Sequence, residues 1–167
     1  MKRHLVFWLI SIFIFFSCNK SNETKKKDYN DFSCYISLEI LQKERMLIQF
    51  NKKDSLIIMN HYVNQSSYSD AEIKFNANKQ KINSYLKIIN DEINFQNFYS
   101  KNNSNVTGLN IGFGIYNEDA ESIAIEIQNV KSLKKEISMK SYQLLKELSG
   151  KSVYLQKIIE NYENQKN

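Results

Sequence analysis

The chain has 167 residues, 42% of them hydrophobic and 25% charged, with no proline and a formal net charge of +5. That length suits one domain, and the composition excludes collagen-like, disulfide-rich and multi-span membrane proteins. Positive and negative residues alternate along the chain without forming a basic stripe, so no nucleic-acid partner is expected.

The first eighteen residues stand apart. Lys2, Arg3 and His4 precede Leu5 to Phe16, LVFWLISIFIFF, an unbroken apolar run that holds the sole tryptophan. A basic start followed by about a dozen apolar residues is the pattern of a secretory signal. The run is short for a spanning helix, which needs about 20 apolar residues. It ends at Phe15-Phe16-Ser17-Cys18. That end resembles the lipobox of bacterial lipoprotein signal peptides, with Ser17 as the small residue before the cysteine. The resemblance covers residues 1–18 only. It implies cleavage before Cys18, diacylglyceration of its sulfur and acylation of the new amine. The acyl chains would hold the protein to the membrane of the cell envelope, because each buried CH₂ contributes about 0.8 kcal/mol and several chains act together. The readings that compete with it are an uncleaved anchor and an ordinary signal with a chance cysteine. In that family an aspartate after the cysteine favours the inner membrane; Asn19 stands there instead, which favours the outer one.

Residues 1–17 are therefore expected to be the leader, 18–31 a polar flexible tether, and 32–167 one α+β domain. The tether, NKSNETKKKDYND after Cys18, has nothing to bury. Cys34 is the second of two cysteines. With Cys18 lipidated it has no partner, so it is expected to be a buried, unpaired thiol acting as a small hydrophobe.

From Phe32 the period becomes two. Phe32, Cys34, Ile36, Leu38 and Ile40 alternate with polar residues, as in a half-buried strand. Met46, Ile48 and Phe50 repeat the pattern. Ser55 to Val63 is apolar on both faces, as in a strand inside a sheet, and Ala71, Ile73 and Phe75 alternate again. Short polar turns between these strands predict an antiparallel meander. Ile82, Tyr85, Leu86 and Ile89 then follow helical spacing. The stretch Ile93 to Tyr99 fits either period and is taken as a strand.

Thr107 to Tyr116, TGLNIGFGIY, holds three of the four glycines. One face carries Leu109, Ile111, Phe113 and Ile115; the other carries Gly108, Asn110, Gly112 and Gly114 and is nearly bare. Such a strand marks a bulge or a close backbone approach. The bare side has two readings, a protein-interaction face or the seat of a helix crossing the sheet. Ile123 to Ile127 reads as a returning strand. Leu133, Ile137, Leu144, Leu145 and Leu148 form one helical stripe and Leu155, Ile158, Ile159 and Tyr162 a second, with Gly150 between them as a left-handed cap. The expected architecture is a mainly antiparallel sheet of about five to seven strands, a central helix and a C-terminal helical hairpin covering one face.

Chemistry is sparse. Downstream of residue 17, His61 and Cys34 offer the one nucleophile–base couple, and it lacks an orienting third group. Asn117, Glu118, Asp119 and Glu121 bunch oxygens without the spacing of a calcium loop. The glycines match no phosphate cradle. No cofactor is expected. Two functions from different classes remain. One is a lipid-anchored binding module for a protein partner, such as an immunity protein or an accessory subunit of the envelope, using the face at 108–114 or exposed tyrosines. The other is a hydrolase of envelope polymers, which needs two of Glu39, Asp91, Glu92 and Glu126 facing each other about 5–10 Å apart.

Overall fold

A computed structural model describes residues 33–40, 43–64, 66–97, 108–116 and 122–163. The expected leader and tether, Cys18 and the acidic stretch 117–121 lie outside the described residues. Six strands form one antiparallel sheet: β1 (Cys34–Ile40), β2 (Glu44–Asn51), β3 (Leu56–Val63), β4 (Ala71–Asn76), β5 (Leu109–Tyr116) and β6 (Ser122–Val130). Their spatial order is β4-β3-β2-β1-β5-β6. The first four make the predicted meander. The chain then crosses over through α1 (Lys79–Asn97) to place β5 beside β1. α2 (Leu133–Glu136), α3 (Met139–Ser149) and α4 (Val153–Glu163) follow β6.

The turns are set by short polar side chains that hydrogen-bond their own backbone. Asn51 accepts from the Asp54 amide at 2.8 Å and donates to the Asp54 carboxylate at 3.0 Å, which closes the β2–β3 turn. Ser55 follows at φ 54°. Asp70 accepts from the Val63 amide at 2.6 Å and ties the β3–β4 loop. The helices start on similar residues. Asn78 accepts from the Lys81 amide at 2.8 Å, Ser138 from Ser141 at 3.2 Å and Ser152 from Leu155 at 3.3 Å.

One sheet face is buried. In register across the strands, Phe75, Ile57, Phe50, Cys34 and Ile115 form one row, and Ile73, Met59, Ile48, Ile36, Phe113 and Ile125 another. Tyr85, Ile89 and Ile93 of α1, Leu144, Leu145 and Leu148 of α3, and Leu155, Ile158 and Ile159 of α4 form one core with these rows. Cys34 is fully buried and unpaired. Its apolar surroundings push the thiol well above the ordinary range, because burial disfavours the thiolate.

The helical layer departs from the expected pattern in three places. Ile93 is not in a strand, because α1 continues to Asn97. Its buried positions Ile82, Tyr85, Ile89, Glu92 and Ile93 keep helical spacing, while Phe95 is turned outward at 47% exposure. Ile93 and Phe95 alternate as in a strand, but only Ile93 is on the buried stripe of the helix. The stripe from Leu133 to Leu148 belongs to two helices: Ile137 adopts extended backbone between them, at φ −117° and ψ 161°. Gly150 is not a left-handed cap, since it lies at φ −62° and ψ −10°. Residues 150–152 instead continue right-handed through amide bonds to the third residue back, from Gly150 to Glu147, Lys151 to Leu148 and Ser152 to Ser149. No positive φ is needed there.

Tyr142 of α3 donates to the Glu163 carboxylate at the end of α4. Lys134 and Lys146 lie 3.5 and 3.6 Å from that same carboxylate. Burial, then this hydrogen bond and the charge behind it, push the Tyr142 hydroxyl up to about 12. The hydrogen bond from Tyr142 holds Glu163 below its ordinary value, with help from the two lysines. A raised folded-state value stabilises the fold while the hydroxyl stays protonated. The contribution is therefore complete below about pH 10, the unfolded value, and is lost as pH rises to about 12. Urea midpoints measured across that window should fall further for the parent chain than for Tyr142→Phe. Parallel curves would contradict the assignment.

Candidate interaction face

The opposite sheet face carries no helix among the described residues. Its rows read Glu126, Gly112, Ser37, Leu47, Asn60, Glu72; then Ala124, Gly114, Tyr35, Gln49, Ile58, Lys74; then Asn110, Glu39, Arg45, Tyr62. All four predicted interaction residues are in or beside β5, but the strip is not bare. A Cβ added to Gly114 would lie 2.1 Å from Cε1 of Tyr35, and one added to Gly112 would lie 2.5 Å from the Ser37 hydroxyl. Tyr35 thus lies across Gly114, its register partner, as aromatic side chains do over glycine in a neighbouring strand. Of the two sequence readings, the helix seat is corrected: among the described residues the side chains of β1, and no helix, lie over Gly112 and Gly114. Their absent side chains let the Tyr35 ring lie flat against the sheet.

Asn110 is 7% exposed, and its Oδ1 accepts from the Asn129 amide at 3.2 Å. Asn129 sits at φ 57°, where the β5–β6 ladder shifts register next to Asn110. The asparagine holds a bulge, which is the local twist a glycine-rich strand suggested. Gly108, just before β5, lies at φ 110°, a backbone angle that disfavours every residue with a Cβ.

What the face offers outward is aromatic and mixed in charge. The Tyr35 and Tyr116 rings are 5.5 Å apart and tilted by 38°. The Arg45 guanidinium sits 4.5 Å over the Tyr62 ring. Burial and the nearby Glu126 charge push the Tyr35 hydroxyl up, so it stays a donor. Tyrosine and arginine are the residue types enriched in recognition surfaces. The sequence pointed to the strand through its glycines. It could not name Tyr35, because the partner of each glycine is fixed by β1–β5 pairing across more than seventy residues.

The couple Cys34–His61 does not form. β2 separates β1 from β3, and the two residues are four positions apart in register. Strand spacing and rise place them roughly 16 Å apart. His61 instead clasps the sheet to α4. Its Nε2 is 3.0 Å from the Glu44 carboxylate, and its ring stacks on Tyr154 at 4.0 Å and 16°. Nδ1 is buried without a partner, so the ring proton belongs on Nε2, facing the carboxylate. A proton on Nδ1 would be an unsatisfied buried donor.

The carboxylates do not converge on a cleft. Glu92 is fully buried and caps α3, accepting from the Ser138 amide at 3.0 Å and the Ser141 hydroxyl at 2.6 Å. Asp91 is exposed on α1, in the helical layer. Glu39 and Glu126 share the open face but are separated by β5 and by two positions in register, roughly 12 Å between backbones. Glu39 does line a cavity with Lys43, Glu44, Arg45 and Tyr62, of about 140 Å³. Sites for organic ligands run to about 300–1,000 Å³, so a polymer segment is not accommodated. Among the described residues no three His, Cys, Asp or Glu side chains are grouped to hold a metal ion, and no helix is long and apolar enough to cross a membrane. No protein-family model matches the chain, and no curated protein is significantly similar to it in sequence.

Proposed function

We propose that the protein is a lipid-anchored binding module of the bacterial cell envelope, held in the outer membrane through Cys18, whose open sheet face receives a partner protein. The observation that carries this reading is the one-sided sheet. Every helix of the described residues packs on one face. The other presents Tyr35, Tyr116, Arg45 and Tyr62 on rigid strands. Tyrosines held against a sheet lose little conformational entropy on binding, so they make efficient anchors. An immunity protein or an accessory subunit of an envelope complex fits this role. The hydrolase reading would rest on Glu39 and Glu44 in the cavity of about 140 Å³, which is small beside the roughly 300–1,000 Å³ of organic-ligand sites.

Two measurements test the proposal. Cells fed a fatty-acid analogue should label the parent protein and not Cys18→Ala; equal labelling of neither would remove the anchor. Affinity capture of the full chain from solubilised envelopes should bring down a stoichiometric protein, and Gly114→Val should release it by displacing the Tyr35 ring. Capture that is unaffected by Gly114→Val and by Tyr35→Ala would move the binding site away from this face.

A further inference from the structure

The two edges of the sheet differ in chemistry. β4 is six residues long and its outer-face side chains Glu72 and Lys74 form an exposed ion pair at 2.8 Å. Short length and charge are the usual protection of a sheet edge. β6 is nine residues long and holds a single charge, Glu126. Ile123 is 57% exposed, and Ile125 and Ile127 are only partly covered. Among the described residues no strand pairs with its outer side.

Hydrogen-bond direction along β6 follows from one bond elsewhere. The Tyr116 amide donates to the Ser33 carbonyl, so Tyr116, Gly114 and Gly112 point their backbone groups at β1. Alternation then directs Phe113 and Ile111 toward β6, and their register partners Ile125 and Ile127 back toward β5. The backbone groups left facing outward belong to Ala124 and Glu126. These two residues flank Ile125 symmetrically. An antiparallel copy of the same strand centred on Ile125 would place Ala124 opposite Glu126, with both pairs of outward groups in hydrogen-bonding position. It would place isoleucine against isoleucine on the inner face, and no glutamate against glutamate.

We infer that β6 pairs antiparallel with β6 of a second copy of this chain, about a two-fold axis through Ile125, so that one sheet runs through both copies. The edge is self-complementary in hydrogen bonding and in apolar contact, and its single charge, Glu126, meets no like charge; this favours a second copy over an unrelated strand. The open face described above lies on one side of the joined sheet and is left uncovered.

Light scattering on the purified full chain in detergent should give the mass of a dimer. Ala124→Pro should give a monomer with an unchanged circular dichroism spectrum, because the amide it removes faces away from β5. Ile125→Cys should form a disulfide-linked dimer under mild oxidation, since residues facing each other at a non-hydrogen-bonded position are about 4.5 Å apart. Ile123→Cys, which would face Ile127, should not. A monomeric parent chain, a folded Ala124→Pro dimer, or cross-linking at residue 123 in place of 125 would each overturn the inference. If Ala124→Pro does not fold, the cysteine pair decides.

Discussion

Glu92→Ala is expected to destabilise the protein by about 3–4 kcal/mol, a drop in melting temperature of roughly 10 °C for a domain of this size. The carboxylate has no exposure to water. It accepts from the Ser138 amide, the Ser141 hydroxyl and the Gln96 side chain, and it stands at the positive end of α3. Alanine would strand the first two donors in an apolar layer, each at about 1–3 kcal/mol, and leave a cavity. Glu92→Gln keeps the shape and one acceptor oxygen, so it should lose about half as much. Thermal and urea denaturation of the three proteins measure this directly. A loss below about 1 kcal/mol for alanine would mean that α3 is held by packing alone.

Phe113→Ala is expected to cost about 3–5 kcal/mol, the range for truncating a buried aromatic side chain. Phe113 is fully buried between Ile36 and Ile125, under α1. Tyr35, one strand away on the other face, is half-buried and packs over glycine. Tyr35→Ala should therefore cost about 1 kcal/mol or less, because its ring keeps water on one side. The pair separates the two faces of one sheet by consequence: the first change should lower stability and the second should lower partner capture. Chemical denaturation supplies the first number and affinity capture the second. Equal stability losses would show that the open face is part of the core.

The legibility of the sequence followed the range of the interactions involved. Strand alternation in β1 to β4 and the stripes of α3 and α4 are local signals, and they predicted the α+β class, the meander and the layer of helices on one face. Burial of Cys34 followed from the same alternation. Ile93 and Phe95 misled because they alternate as in a strand, and Glu92 beside them gives no local sign of its burial. Its donors, Ser138 and Ser141, lie more than forty residues downstream. Gly150 misled because the turn after α3 stays right-handed, which no composition rule foretells.

The amino-acid order alone determined which residues of each strand turn inward, since side chains alternate with a period of two whatever the neighbours are. It also determined that β5 carries two glycines, Gly112 and Gly114, on one face. Only the tertiary structure decided what fills the space over them. The order β4-β3-β2-β1-β5-β6 places Tyr35 and Ser37 over Gly114 and Gly112, and the helices of the described residues lie on the far side. Strand order depends on contacts between distant segments, and local periodicity carries no record of them.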